Sequence, residues 1–150
     1  MRKIVVLLAA TTLCIGGATA AFAAADAASV IAARKAGMKK VGGAFKLIMG
    51  QVKAGSLDSS GTAATRELKA LAAKTDAWFP AKTGPDVDSA TRAKAELWTN
   101  RADFTAKAKA FAAATMELEA AAAKGGNVKA AAAKVGGTCK ACHDSYREAY

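Results

Sequence analysis

Cys139, Cys142 and His143 read C-x-x-C-H within the stretch GGTCKACHDSYR. Positions i, i+3 and i+4 share one face of an α-helix, so the two thiols and the imidazole point the same way. Thiols about one turn apart are placed to form thioethers with the two vinyl groups of a haem. The next residue then offers its imidazole to the iron. This is the c-type haem attachment spacing, and it predicts one covalent haem c. Competing chemistries fit less well. A thioredoxin-type redox pair opens a helix after a strand, and no strand pattern is present. A structural zinc site needs four converging ligands, but the chain has one histidine and only Cys14 besides the motif cysteines. A haemless helical interaction protein with a Cys139–Cys142 disulfide is the remaining reading. No acid–base pair, nucleophile constellation or phosphate loop occurs, so an enzyme is not expected.

The leader agrees with haem. Arg2 and Lys3 precede an apolar run from Ile4 to Ile15, and small-residue sites follow at Ala21-Phe22-Ala23 and Ala23-Ala24-Ala25. That is the pattern of a cleaved secretory signal, and the apolar run is too short to span a bilayer comfortably. Residues 1–25 are expected to be removed, leaving a domain over residues 26–150 with no transmembrane segment, in the periplasm. Cys14 leaves with the leader, since the preceding TTL is a poor lipobox. Haem c is attached on the exported side, where a lone C-x-x-C is otherwise driven to a disulfide. Loss of Arg2 and Lys3 lowers the net charge from +10 to +8. The basic residues are scattered along helical segments, the ordinary pattern of a solvated face, and export leaves nucleic acid out as an expected partner. A positive surface also suits steering onto an acidic redox partner or anionic lipid.

These side chains need elements to position them. The chain is 53% hydrophobic, much of it alanine, with 6% aromatic residues and two prolines. Such composition favours helix. Four segments carry 3-4 apolar spacing. Segment A spans about 27–54, with Ile31, Met38, Val41, Phe45, Ile48 and Val52 in its stripe and Arg34 interrupting it. Segment B follows the break at Asp58-Ser59-Ser60-Gly61 and ends near Ala77, with Ala64, Leu68, Leu71, Thr75 and Trp78 in step. WFPAKTGPDVDS is the longest irregular connection. Segment C starts near Ser89 as N-cap, carries Leu97, Phe104, Phe111 and Leu118, and stops at Gly125-Gly126-Asn127. Segment D carries Val128, Val135, Cys139, Cys142, Tyr146 and Ala149. The expectation is all-α: an antiparallel up-down-up-down four-helix bundle with haem in the core near one end.

The whole chain past the leader resembles the class II cytochromes c, the cytochrome c′ family. The likeness rests on GGTCKACHDSYR in D, ARKAGMKKVGG in A, WFPAKTG after B and ELWTNRADF in C. It implies a five-coordinate iron in many members, and a low-spin six-coordinate branch with methionine in an M-K-x-x-G context. Here that text is Met38-Lys39-Lys40-Val41-Gly42. The resemblance also implies dimers through helices A and B, and makes Arg147, four residues after His143, the counterpart of a proximal arginine.

Bundle geometry selects the sixth ligand from Met38, Met49 and Met116. With one histidine, bis-histidine ligation is excluded. Met38 lies roughly 15 Å into A, at ~1.5 Å per residue, level with His143 in D. Met49 and Met116 fall toward the far end, as core fillers or surface residues. Met38 and His143 are therefore expected to face each other across the core as iron ligands, although methionine on an apolar stripe is also ordinary packing. Arg34, one turn before Met38, is a candidate partner of a haem propionate, and Trp78 and Trp98 fall at the haem level. The reading is a periplasmic electron carrier. Its alternative is a five-coordinate protein binding NO or CO.

Overall fold

The structure, a computed structural model, describes residues 18–149, with side chains from residue 26 onward. The leader readings at Arg2, Lys3 and Cys14 lie outside the described residues. Five helices occur in order: α1 Ala18–Ala54, α2 Ser59–Ala72, α3 Glu96–Thr99, α4 Arg101–Lys124 and α5 Val128–Tyr146. A 3-10 turn at Asp76–Trp78 follows α2. The long helices α1, α2, α4 and α5 make the expected antiparallel bundle. α1 packs mainly on α2, α2 on α4 and α4 on α5, while the α1–α5 seam is sparse. α1 starts ahead of the expected Ala27, inside the stretch expected to be removed.

Local chemistry sets the helix ends. Asp58 caps α2, its Oδ1 accepting from Ser60 N at 2.8 Å and Gly61 N at 3.0 Å. Gln51 of α1 clasps the same turn: its Nε2 donates to Asp58 Oδ1 at 2.8 Å and its Oε1 accepts from Asp58 N at 3.0 Å. Gly61 leaves room for this clasp: a Cβ there would lie 2.0 Å from Gln51 Oε1 and push the Gln51 side chain away. Gly125, at φ 71°, ends α4 in the left-handed conformation expected of a helix-terminal glycine. Asn127 caps α5 by accepting from Ala130 N.

The cap carries a pH signature. Hydrogen bonds from Ser60, Gly61 and Gln51 hold the Asp58 carboxyl down at about 2, against an ordinary 3.8. A carboxylate depressed in the folded state stabilises above its unfolded value and loses that contribution as pH falls through the folded one. Asp58→Ala should lower the thermal midpoint near neutral pH, and its gap from wild type should close as pH drops from about 4 to about 2. Thermal melts across that range check this; a gap that stays constant would remove the charged cap from the account.

Segment C needs correction. It does not start at Ser89: residues 79–95 are irregular, α3 is one turn long, and Asn100 at φ −104°, ψ 44° separates it from α4. Asp88 instead closes a local turn there, its Oδ1 accepting from Ala90 N at 2.8 Å. The side chains of this stretch find tertiary partners that an early helix would break. Segment D also ends sooner, at Tyr146, because Arg147 turns extended and forms an isolated antiparallel bridge with Ala93. Lys94 N donates to Tyr146 O at 3.0 Å and Glu148 N to Arg92 O at 2.9 Å.

The apolar core has two parts. Val41, Ile48, Leu68, Phe111, Leu118 and Val135 lie in one, shared by the four long helices. Phe79, Leu97, Phe104 and Tyr146 form the other, where residues 79–95 cross one end of the bundle. Trp78 packs against both. Its ring presses on α1 at Gly37, where a Cβ would meet Trp78 Cζ2 at 2.7 Å. Only glycine lets the indole approach so closely.

Candidate functional site

Both motif cysteines project from α5 into the core. Cys139 is partly buried against the four-helix cluster, and Cys142 against the aromatic one. Their thiols are free. Burial raises both thiol pKa values, and the neighbouring Cys139 adds to the rise at Cys142. Burial thus favours the protonated form of both thiols, which stand one helical turn apart.

His143 follows Cys142 by one residue, which turns its side chain away from the cluster. It lines a groove of ≈ 480 Å³ with Arg92, Lys94, Asp144, Arg147 and Glu148. Desolvation lowers its pKa, and the Arg147 and Arg92 charges push the same way against Asp144. These effects favour the neutral ring, the form that binds a metal. Arg147 Nη1 stands 3.4 Å from His143 Nδ1. An imidazole that offers Nε2 to iron keeps its proton on Nδ1, so two donors would then face each other. Arg147 acts there as a positive charge beside the ring. The antiparallel bridge to Ala93 holds that charge in place.

Met38 is half-buried and packs on the aromatic cluster, as Cys142 does. Helix register explains this. Phe45 of α1 lies over Gly136 of α5, 3.6 Å from the position of a Cβ there. Seven residues back along α1 is Met38, and six residues on along antiparallel α5 is Cys142. The same sparse seam thus carries Met38 to the level of the motif. Met49 packs in the other cluster, and Met116 is 60% exposed. The structure brings Met38 and Cys142 to the same aromatic cluster; His143 opens instead onto the groove beside residues 92–94.

Arg34 is 3% exposed. Its Nη1 donates to Thr83 Oγ1 at 3.1 Å, and its Nη2 to Thr83 O at 3.0 Å and Thr91 Oγ1 at 2.7 Å. The guanidinium also covers the Phe79 ring at 4.8 Å and the Trp98 ring at 5.8 Å. Desolvation lowers its pKa and nearby Asp88 opposes this. In this structure Arg34 ties α1 to the 79–95 connection, using both terminal nitrogens. Arg34→Ala would leave buried Thr83 and Thr91 without their donor and open a void, at an expected cost of about 2–4 kcal/mol. Arg34→Lys should recover only part, since an ammonium lacks the planar fork. Denaturant titration of the holoprotein measures both.

The aromatic cluster was only partly legible from sequence. Phe79 meets Phe104 at 4.9 Å between centroids, and Phe104 meets Tyr146 at 5.7 Å, both edge-on. The Tyr146 hydroxyl donates to Asp103 Oδ2. Burial, followed by that carboxylate, pushes its pKa up to about 12. Trp98 Nε1 donates to Pro80 O at 2.8 Å, which fixes the indole at this end. Trp78 and Trp98 are thus at the Met38 level, as expected. Phe79, Tyr146 with Asp103, and the Arg92–Lys94 segment were missed as site residues. The aromatic run WF before Pro80 was a signal for the first, and the 92–94 pairing had none.

The donor set fits a haem c. Two thiols face the core a turn apart, with a thioether at the Cys142 level across a sparsely packed seam, and the imidazole follows on the same helix at the groove beside residues 92–94. Among the described residues, no three His, Cys, Asp or Glu side chains converge as a metal cage.

Comparison with known proteins agrees. A family model described as cytochrome C′ matches residues 29–147. A cytochrome c′ of Cereibacter sphaeroides is 39% identical over 134 residues, covering 85% of this chain and 89% of that one. The crystal structure of cytochrome c′ from Thermochromatium tepidum superposes with a TM-score of 0.75 at 33% identity, over 81% of this chain and 95% of that one. A nitric oxide complex of a cytochrome c prime variant from Alcaligenes xylosoxidans gives a TM-score of 0.73 at 29% identity, over 82% and 97%. The bundle, the motif on its last helix and these likenesses together show that the chain belongs to the cytochrome c′ family.

Proposed function

We propose that this haem c protein is a periplasmic one-electron carrier, with thioethers to Cys139 and Cys142, His143 as proximal ligand and Met38 as sixth ligand. The observation that carries this reading is the placement of the three methionines. Of the three, only Met38 packs on the aromatic cluster at the bundle end with Cys142; Met49 lies eleven residues further along α1 on the four-helix cluster, as Cys139 does, and Met116 is 60% exposed. When bound, the haem supplies a one-electron couple, and Met/His ligation favours a raised potential.

The chain's own residues do the rest. Neutral His143 and the Met38 thioether are uncharged donors in either redox state. Phe79, Leu97, Phe104 and Tyr146 exclude water beside Met38 and Cys142. Arg34 and the 92–94 pairing brace that end of the bundle from both sides. Export is supported by the basic, apolar and small-residue order of residues 1–25. Among the described residues no helix is long and apolar enough to cross a membrane.

One observation favours a second reading. A similar solved structure is a nitric oxide complex. In that reading Met38 only shields the iron, which stays five-coordinate and takes up NO or CO. Absorption spectra of the oxidised and reduced holoprotein, with and without carbon monoxide, separate the two. The carrier reading expects a low-spin ferric spectrum, a weak near-infrared sulfur-to-iron band and little uptake of the gas. A high-spin spectrum with ready uptake establishes the second reading instead.

A further inference from the structure

Charge is unevenly shared among the helices. α1 holds Arg34 and five lysines against the single acid Asp26, a surplus of five. Residues 26–150 together have a surplus of eight, since 20 basic residues face 12 acidic ones. All five ion pairs recorded among the described residues lie off α1. Elsewhere lysines and carboxylates neutralise one another; along α1 they do not.

The lysines are also aligned. Lys35, Lys39, Lys46 and Lys53 recur at i, i+4, i+11 and i+18, positions that return to within about 40° of one line on a helix of 3.6 residues per turn. All four are exposed. The line runs roughly 27 Å, at ~1.5 Å per residue. Between and beside the lysines the exposed residues are small, such as Ala32, Ala36 and Gly43, with Leu47 43% exposed. Beside Gly42, Gly43 and Gly50 the space is open.

The line has a functional address. Lys35 and Lys39 bracket Met38 in sequence. Phe45, on the side of α1 next to the line, packs over α5, so the lysines border the α1–α5 seam. That seam holds Met38 and Cys142 at its level with the aromatic cluster.

We propose that the α1 lysine line is the docking surface for an acidic protein, the redox partner of this cytochrome. A row of carboxylates on that partner would pair along the line and bring its own redox centre toward the Met38 end. The partner's redox character rests on the electron-carrier reading; its acidic character does not. Complementary charge of this kind acts on encounter and register, so it should show in association rate and salt dependence.

Two variants of equal charge loss test it. One changes Lys35, Lys39, Lys46 and Lys53 to glutamine. The other changes Lys74, Lys109, Lys124 and Lys129, which are exposed and outside the recorded ion pairs. The probe is poly-L-glutamate of about 20 residues with the holoprotein at low ionic strength, where screening is weakest. Titration calorimetry should show the line variant weakened about ten-fold or more and the control within about two-fold. Carbodiimide cross-links to wild type should map to the four line lysines. Equal weakening of both variants, or cross-links spread over the whole surface, overturns the proposal. So does wild type that sediments with phosphatidylglycerol vesicles through the line but leaves poly-glutamate unbound, because the occupant is then a lipid surface. A final arm uses reduction by an acidic flavodoxin hydroquinone, with dithionite as a control for an intact haem. Reduction slowed only in the line variant supports the proposal in full. Binding along the line without electron transfer sustains the docking surface and removes the carrier function.

Discussion

Serine at both Cys139 and Cys142 yields a folded bundle from which haem is extracted by acid butanone, whereas wild-type haem stays with the polypeptide. The expected loss of covalent retention is essentially complete. Each single variant keeps one thioether and so retains covalent haem. The physical ground is the position of the two thiols. Both are half-buried and unpaired, and each packs on a different part of the core. Serine is close to isosteric, and partial exposure lets its hydroxyl reach water or a helix carbonyl, so the desolvation cost is modest. Loss of haem without loss of helix content would then report chemistry and not unfolding. Intact-mass measurement of exported protein supplies the positive half: one haem added to a chain lacking its leader. A wild-type chain of apoprotein mass, with its haem wholly extractable, would remove both the attachment and the function built on it.

Much of this site could be read before any coordinates, because its signals are local. C-x-x-C-H fixes two thiols and an imidazole on one helix whatever the rest of the chain does. The 3-4 stripes of the four long helices follow from period alone, and most of their members are buried, from Ile31 and Ile48 in α1 to Val135 in α5. Met38 was selected from helix rise and an assumed antiparallel order, and the Phe45–Gly136 contact supplies the register that the assumption needed.

What escaped was tertiary. Ser89 looks like an N-cap, yet Arg34 reaches 49 residues along the chain to Thr83 and 57 to Thr91, and that network holds the 79–95 stretch out of helix. An arginine interrupting an apolar stripe signals that something polar must meet it, without saying what. Pairing of residues 92–94 with the chain after Tyr146 is a backbone event between segments of no strand propensity. His143 was expected to look straight across at Met38. Its one-residue offset from Cys142 directs it toward the groove with Arg92, Lys94 and Arg147 instead.

Met38→Ala gives the other large effect, and it separates the two functions. If the thioether binds iron, the variant should pass from low spin to predominantly high spin and lose the near-infrared sulfur-to-iron band. Carbon monoxide, slow or excluded in wild type, should then bind readily, and the reduction potential should fall as the thioether ligand is lost. Met38 is half-buried, so truncation should cost about 1–2 kcal/mol of stability, below the ~2–5 kcal/mol of a fully buried methionine. A spectral change without global unfolding is therefore expected. Met49→Ala and Met116→Ala are the controls. Met49 packs in the four-helix cluster and Met116 is largely in solvent, so both spectra should match wild type. If wild type is already high-spin and takes up carbon monoxide freely, Met38 is packing against Phe79, Leu97, Phe104 and Tyr146 and nothing more. The gas-binding reading then replaces the carrier. Cys139, Cys142 and His143 keep their roles in either case, since their placement on α5 does not depend on what stands across the seam.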